Sequence, residues 1–249
     1  MGEELVIDAE GMHYTPLNKM IRGAAASGVK KVILKNVCGQ RFIANGLKCD
    51  GIEIEIQGVP GGDLSMFMNG PEVTVYGNAD HAPGNTMDGG RLIIHGSTGD
   101  AVAHSMRGGE VYVRDDVGYR AGIHMKAYME KKPVLVVGGQ SRSFLGEYMA
   151  GGILVVLGIG KDCPVEGRGV GSGIHGGSIF LRNVTPDEVD AGIGAKVVSA
   201  DEEDMEVIKP YILNFCRYFD NDPEELMKSP FVKITPASAR PFANKYCWE

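Results

Sequence analysis

Four groups of residues in this 249-residue chain have types and spacings that could carry chemistry. Gly171-Ser172-Gly173-Ile174-His175-Gly176 spells G-x-G-x-x-G, the pattern of a dinucleotide-binding turn. That turn needs a strand before it and a helix after it, whereas the apolar run Ser178–Leu181 reads as a strand that follows. Six histidines (His13, His81, His95, His104, His124 and His175) could ligate a metal, but no H-x-H or H-x-x-x-H pair occurs. Acidic residues could form the carboxylate column of a polysaccharide-cleaving enzyme. The fourth group is Asp115–Lys126, where Tyr119, Arg120, His124 and Lys126 could bind an anion or anchor a partner. It contains no set of nucleophile, base and orienting group.

Whether any of these residues meet depends on a repeat. Met68, Met87, Met106 and Met125 are spaced by 19 residues, Met149 follows after 24, and Ile174 takes the same slot 25 later. Three positions before the slot stand Ser65, Gly84, Ala103, Gly122, Gly146 and Gly171, all small. Five and seven positions after it come pairs such as Val73/Val75, Leu92/Ile94, Val111/Val113 and Leu154/Val156, the period-2 signature of a half-buried strand. The long gaps are insertions around 127–133 and 161–167, the first shifting its strand to Val134–Val137.

A period of 19–25 is too short for a propeller blade and lacks the leucine-rich signature. It predicts a right-handed parallel β-helix, a single-stranded solenoid of six or seven coils stacked ~4.8 Å apart, with the Met slot as an internal ladder. The 36 glycines then serve corners, and the small-residue column lets backbone pass close to backbone. Three segments follow: an α/β N-terminal cap over 1–50, the β-helix over 51–183 and a helical, partly extended C-terminal tail over 184–249. In the cap, Thr15 is expected as N-cap of a helix over Leu17–Ala26 that closes at Gly28, before a strand at Val32–Leu34. In the tail, a short helix is expected over Pro186–Ala191, and Ser199-x-x-Glu202 as the capping box of a longer one ending at Phe219. The last thirty residues, with Pro223, Pro230, Pro236, Pro241, Tyr246 and Trp248, should run extended along a partner or the rod.

Stacking also tests the candidate chemistry. In this register His104 lies between Asn85 and Ile123, and His124 between Ser105 and Tyr148, so the histidines do not line up. Asp100 lies between His81 and Tyr119, and no column holds two acids, which disfavours a carbohydrate-active enzyme. A net charge of −7 counts against a nucleic-acid partner. Five cysteines without a CxxC, an acidic Met1–Asp8 and no apolar stretch near ~20 residues point to a reducing, cytoplasmic setting.

Gly146–Gly158 closely resembles the repeat of the C-terminal domain of glutamate synthase. Gly169-Val170-Gly171-Ser172-Gly173 fits the GXGXG pattern that names that family. Gly118–Lys126, Asn36–Ile43, Phe231–Ile234 and Arg240–Phe242 resemble its archaeal-type, stand-alone form, so the likeness covers nearly the whole chain. The β-helix component of formylmethanofuran dehydrogenase is similar to the same family. The resemblance implies a non-catalytic scaffold of an oxidoreductase complex that makes glutamate from glutamine and 2-oxoglutarate. Its partners would be a glutamine amidotransferase and a subunit with FMN and iron–sulfur clusters, with no cofactor, metal or catalytic residue in this chain. The alternatives are a structural subunit of a formylmethanofuran dehydrogenase-type complex and, less favoured, a free-standing carbohydrate-active β-helix. Tyr119, Arg120, His124 and Lys126 are the candidate partner interface.

Overall fold

The structure, a computed structural model, describes residues 4–238. In chain order it comprises β1 (Glu4–Asp8), α1 (Tyr14–Ala26), β2 (Lys31–Cys38), β3 (Glu53–Val59), β4 (Glu72–Tyr76), β5 (Arg91–Ile94) and β6 (Glu110–Val113). Then come β7 (Val134–Val137), β8 (Ser141–Arg142), β9 (Ala150–Val156), β10 (Val165–Glu166) and β11 (Gly176–Arg182). A 3-10 turn at Pro186–Glu188, β12 (Ala195–Ser199), α2 (Glu202–Phe219), α3 (Pro223–Lys228) and β13 (Phe231–Pro236) complete it.

The repeat is the coil of a right-handed parallel β-helix of about seven turns. Parallel pairing carries Val73 onto Leu92, Leu92 onto Val111, Val111 onto Leu135 and Leu135 onto Leu154, so the register jumps by 19 except where the first insertion adds five. Inside, the Met ladder is buried throughout, and Leu47 extends it one coil earlier than the methionines reveal. That earlier coil is built on β2, inside the N-terminal segment.

Each coil turns its corner through three left-handed residues at alternate positions, five, three and one before the Met slot. In the last coil they are Gly169 (φ +74°), Gly171 (φ +65°) and Gly173 (φ +70°). GXGXG is therefore a backbone requirement: successive turns need φ > 0 at their third residue, which glycine meets without a Cβ clash. Earlier coils meet it with other residues, for instance Ala101, Ala103 and Ser105, or Arg120, Gly122 and His124. Each non-glycine residue there costs about 1–2 kcal/mol. Hydrogen bonds to both neighbouring coils hold the corner: the Gly122 N–H donates to Val102 O below (2.8 Å) and the His124 N–H to Glu147 O above (3.0 Å).

The middle, small-residue column does something other than expected. It points inward, and the crowding is by core side chains. A Cβ on Gly122 would lie 2.5 Å from Leu154 Cδ1, and one on Gly146 would lie 2.4 Å from Ile179 Cδ1. Backbone meets backbone instead at the glycines that precede each strand; a Cβ on Gly90 would lie 2.3 Å from Pro71 O. Ser65 is the polar member of the inward column, and its hydroxyl is buried with no hydrogen-bond partner. Ala44 and Ala103 occupy equivalent left-handed positions. Ser65→Ala should therefore stabilise the rod by about 1 kcal/mol, read as a rise of roughly 2–4 °C in melting temperature.

The flanks close both ends. α1 lays Leu17, Ile21 and Ala24 against the first coil's core. It begins at Tyr14, and its N-cap is His13, whose Nδ1 accepts from the Thr15 N–H at 3.2 Å, rather than Thr15. At the other end β13 pairs antiparallel with β11, and β12 pairs antiparallel with β13, so of the last thirty residues Phe231–Pro236 runs extended along the rod as its closing strand. Pro223–Lys228, expected to be extended, instead forms α3, with Pro223 at its first turn and Asp222 as its N-cap. Pro241, Tyr246 and Trp248 lie outside the described residues. α2 ends at Phe219 as expected, but its capping box is Asp201 with Asp204, two residues beyond the Ser199–Glu202 pair. The Lys233 ammonium on β13 pairs with the Asp204 carboxylate and ties the helix start to that strand.

α2 covers the outer face of the sheet. Ile208, Ile212, Phe215 and Cys216 pack on Ile93, Tyr112, Val134, Val136, Val155 and Phe180, which point away from the coil interior. Strands β5 to β7 are thus buried on both sides. The Tyr112 hydroxyl donates to Glu110 Oε2 at 2.8 Å and accepts from Asn214 at 3.3 Å, and burial pushes its pKa up.

Candidate functional site

The carboxylates and one histidine prove to be brackets between coils. His81 Nδ1 accepts from the Asp100 N–H at 2.8 Å, Asp100 Oδ1 from the Tyr119 N–H at 2.9 Å, and Asp116 Oδ1 from the Gln140 N–H at 2.8 Å. The residue before each of these donors is Gly99, Gly118 or Gly139, and a Cβ there would lie 2.6, 2.2 or 2.2 Å from the bracketing atom. These pairs satisfy peptide groups where the coil bends away from strand pairing. Sequence reasoning gives the stacking but not its use; the signal is a glycine one coil above each Asp or His.

The four expected interface residues share the exposed edge of one coil. Tyr119 lies under the Arg142 guanidinium of the next coil, with Arg142 Cζ 5.6 Å from the ring centre; this contact pushes the arginine's pKa further up. Arg120 donates from Nε to Glu147 Oε2 at 2.9 Å and sits 5.1 Å over the Phe144 ring. His124 stacks on Tyr148 at 5.4 Å and 15°, the neighbour that the register predicts. Its other neighbour, His104, approaches to 6.0 Å from the adjacent column; burial, the His124 ring and Arg107 hold the His104 imidazole below its ordinary pKa. Lys126 is exposed at the edge of the group.

Three residues that sequence reasoning does not place in the interface complete the surface: Arg142, Phe144 and Tyr148. Phe144 and Tyr148 are left-handed (φ +64° and +52°), and their rings lie over bare glycine in the next coil. A Cβ on Gly169 would lie 2.8 Å from the Phe144 ring, and one on Gly173 would lie 2.5 Å from the Tyr148 ring. The outer two glycines of the motif therefore form the floor on which these aromatics rest.

A larger groove of about 510 Å³ lies between the corner at Asp115–Asp116 and the end of α2, lined by Arg114, Lys161, Phe215 and Phe219. Its charges are already matched, Arg114 with Asp115 at 2.9 Å and Lys161 with Asp116 at 2.6 Å. Among the described residues, no group of three or more His, Cys, Asp or Glu is placed to hold a metal ion. Among them, too, no helix is long and apolar enough to cross a membrane. The G-x-G-x-x-G segment belongs to the coil corner and leads into β11, a strand.

The GXGXG motif family matches residues 23–237. An uncharacterized protein of Methanocaldococcus jannaschii is 57% identical over 254 aligned positions, covering 98% of this chain and 97% of that protein.

Proposed function

Because the chain belongs to the GXGXG motif family, that of the third domain of glutamate synthase, we propose that it is a non-catalytic β-helix scaffold of a glutamate synthase. The observation that carries this reading is the extent of the match, which runs from the last turn of α1 through every coil and both tail helices to the closing strand β13 rather than covering the repeat alone. In such a complex an amidotransferase releases ammonia from glutamine, and a subunit with FMN and iron–sulfur clusters uses it to convert 2-oxoglutarate to glutamate. The scaffold holds the two in register. A rod suits that role, since its inter-coil hydrogen bonds fix the spacing of everything displayed along its face.

The test is purification of the tagged chain from its host, followed by mass spectrometry, flavin absorbance and assay with glutamine and 2-oxoglutarate. A yellow-brown, glutamate-forming complex is expected. Molybdenum- or tungsten-containing partners would transfer the chain to a formylmethanofuran dehydrogenase-type assembly, and a colourless solitary chain would remove the scaffold role.

A further inference from the structure

We propose that the edge formed by Tyr119, Arg120, His124, Arg142, Phe144 and Tyr148 is a preformed docking surface for an acidic segment of a partner polypeptide. The inference deepens the scaffold reading and rests on it for the kind of occupant.

Its first support is strain that the fold does not require. Outward left-handed positions are filled by Phe42 with Gly46 in the first coil, Asp63 with Phe67 in the second, Ala82 with Thr86 in the third and Ala101 with Ser105 in the fourth. The last coil uses glycine, so none of these coils makes both positions large and cationic or aromatic. The fifth and sixth coils place Arg120 with His124 and Phe144 with Tyr148 in the same backbone conformation. These side chains pack on one another and on bare glycine at the surface rather than in the core, and residues held in left-handed backbone concentrate where a surface is used. Tyr119 and Tyr148 are each 42% exposed.

The second support is rigidity. Every one of the four is pinned: Arg120 on Glu147 and Phe144, His124 on Tyr148, and the two rings on Gly169 and Gly173. A surface ordered before binding loses little side-chain entropy when a partner arrives.

Charge chooses the occupant. Four cations border the edge, Arg120, Lys126, Arg142 and Arg107, which donates to His124 O. Against them stand three carboxylates: Glu147, which Arg120 already holds, and Asp100 and Glu166, which act on Arg142 from the neighbouring coils. In a chain whose net charge is −7, this is a locally basic and aromatic patch. Guanidinium and ammonium groups among aromatic rings match carboxylates set between apolar side chains.

The experiment is fluorescence anisotropy of the full chain with a fluorescein-labelled ten-residue peptide that alternates glutamate with phenylalanine, and with its glutamine counterpart. The glutamate peptide should bind at least tenfold more tightly than the glutamine one. The double substitution Lys126→Gln with Arg142→Gln should weaken it at least tenfold, as should Tyr148→Ser, which copies Ser105 in the same column. Both variants should melt like the parent, and Lys209→Gln on the solvent side of α2 should leave binding unchanged. Equal affinity for the two peptides, or no loss in either variant, would overturn the proposal. So would tighter binding of oligo-dT that is lost in the same variants, since that would assign the edge to nucleic acid. The two readings fail separately. A flavin complex that co-purifies without any preference for the glutamate peptide removes only this surface, whereas the preference without flavin partners removes only the glutamate synthase role.

Discussion

Gly122→Val is expected to destabilise the chain by about 2–5 kcal/mol, lowering its melting temperature by roughly 10 °C. Two costs add. Gly122 has φ +71°, a conformation that β-branched residues adopt with most strain. Its Cβ would also stand 2.5 Å from Leu154 Cδ1 and 3.1 Å from Met125 Sδ, inside a core with no room to give. Gly46→Val separates the two costs, because Gly46 is equally left-handed (φ +61°) but has nothing within 4 Å of its Cβ position. Thermal melts of the two variants should therefore differ, with Gly46→Val losing about 1–2 kcal/mol. Equal losses would mean that the inward column carries no packing constraint.

Phe215→Ala is expected to cost about 3–5 kcal/mol and to act first on α2. The Phe215 ring is fully buried, 4.8 Å from the Phe219 ring, and approaches so closely that a Cβ on Gly138 would lie 2.5 Å from its Cζ. Removing it opens a cavity between the helix and β7 while leaving the coil interior untouched. Amide hydrogen exchange should then show α2 losing protection while β4 and β9 keep theirs, because a solenoid is held coil by coil. A uniform rise in exchange along the rod would show that helix and coil form one cooperative unit.

These two sites differ in how far the sequence discloses them. The small column containing Gly122 is visible because an inward position repeated in every coil restricts side-chain size each time, and the Met ladder beside it does the same. The outer cluster around Phe215 is harder to read. Its one local sign is Val134–Val137, an unbroken apolar run where a half-buried strand would alternate, which marks burial on both faces. Which element supplies the cover is a long-range matter; α2 begins more than sixty residues later.

The corner is legible as spacing but not as geometry. Only the last coil writes all three left-handed positions as glycine. In the others Phe42, Asp63 or Arg120 stand at the first of them, so the common backbone requirement is masked by unrelated side chains. The same masking hides part of the interface: Tyr119, Arg120, His124 and Lys126 stand out as a run, whereas Arg142, Phe144 and Tyr148 come from the next coil and join them only through the 24-residue step. Helix starts mislead locally, since His13 and Asp201 cap where Thr15 and Ser199 offer the more familiar patterns. The closing strand β13 pairs antiparallel after two helices, an order that no repeat can announce.

A scaffold that couples two active centres has a signature that stability measurements do not reach. The most direct measurement is glutamate formation by host extracts, or by the purified subunits, with and without this chain, using either glutamine or ammonium as nitrogen donor. Without the chain, glutamine-dependent synthesis should fall at least tenfold while ammonium-dependent synthesis persists, and adding back the purified chain should restore the first. Equal rates from glutamine with and without the chain, or equal loss with both donors, would contradict the scaffold role.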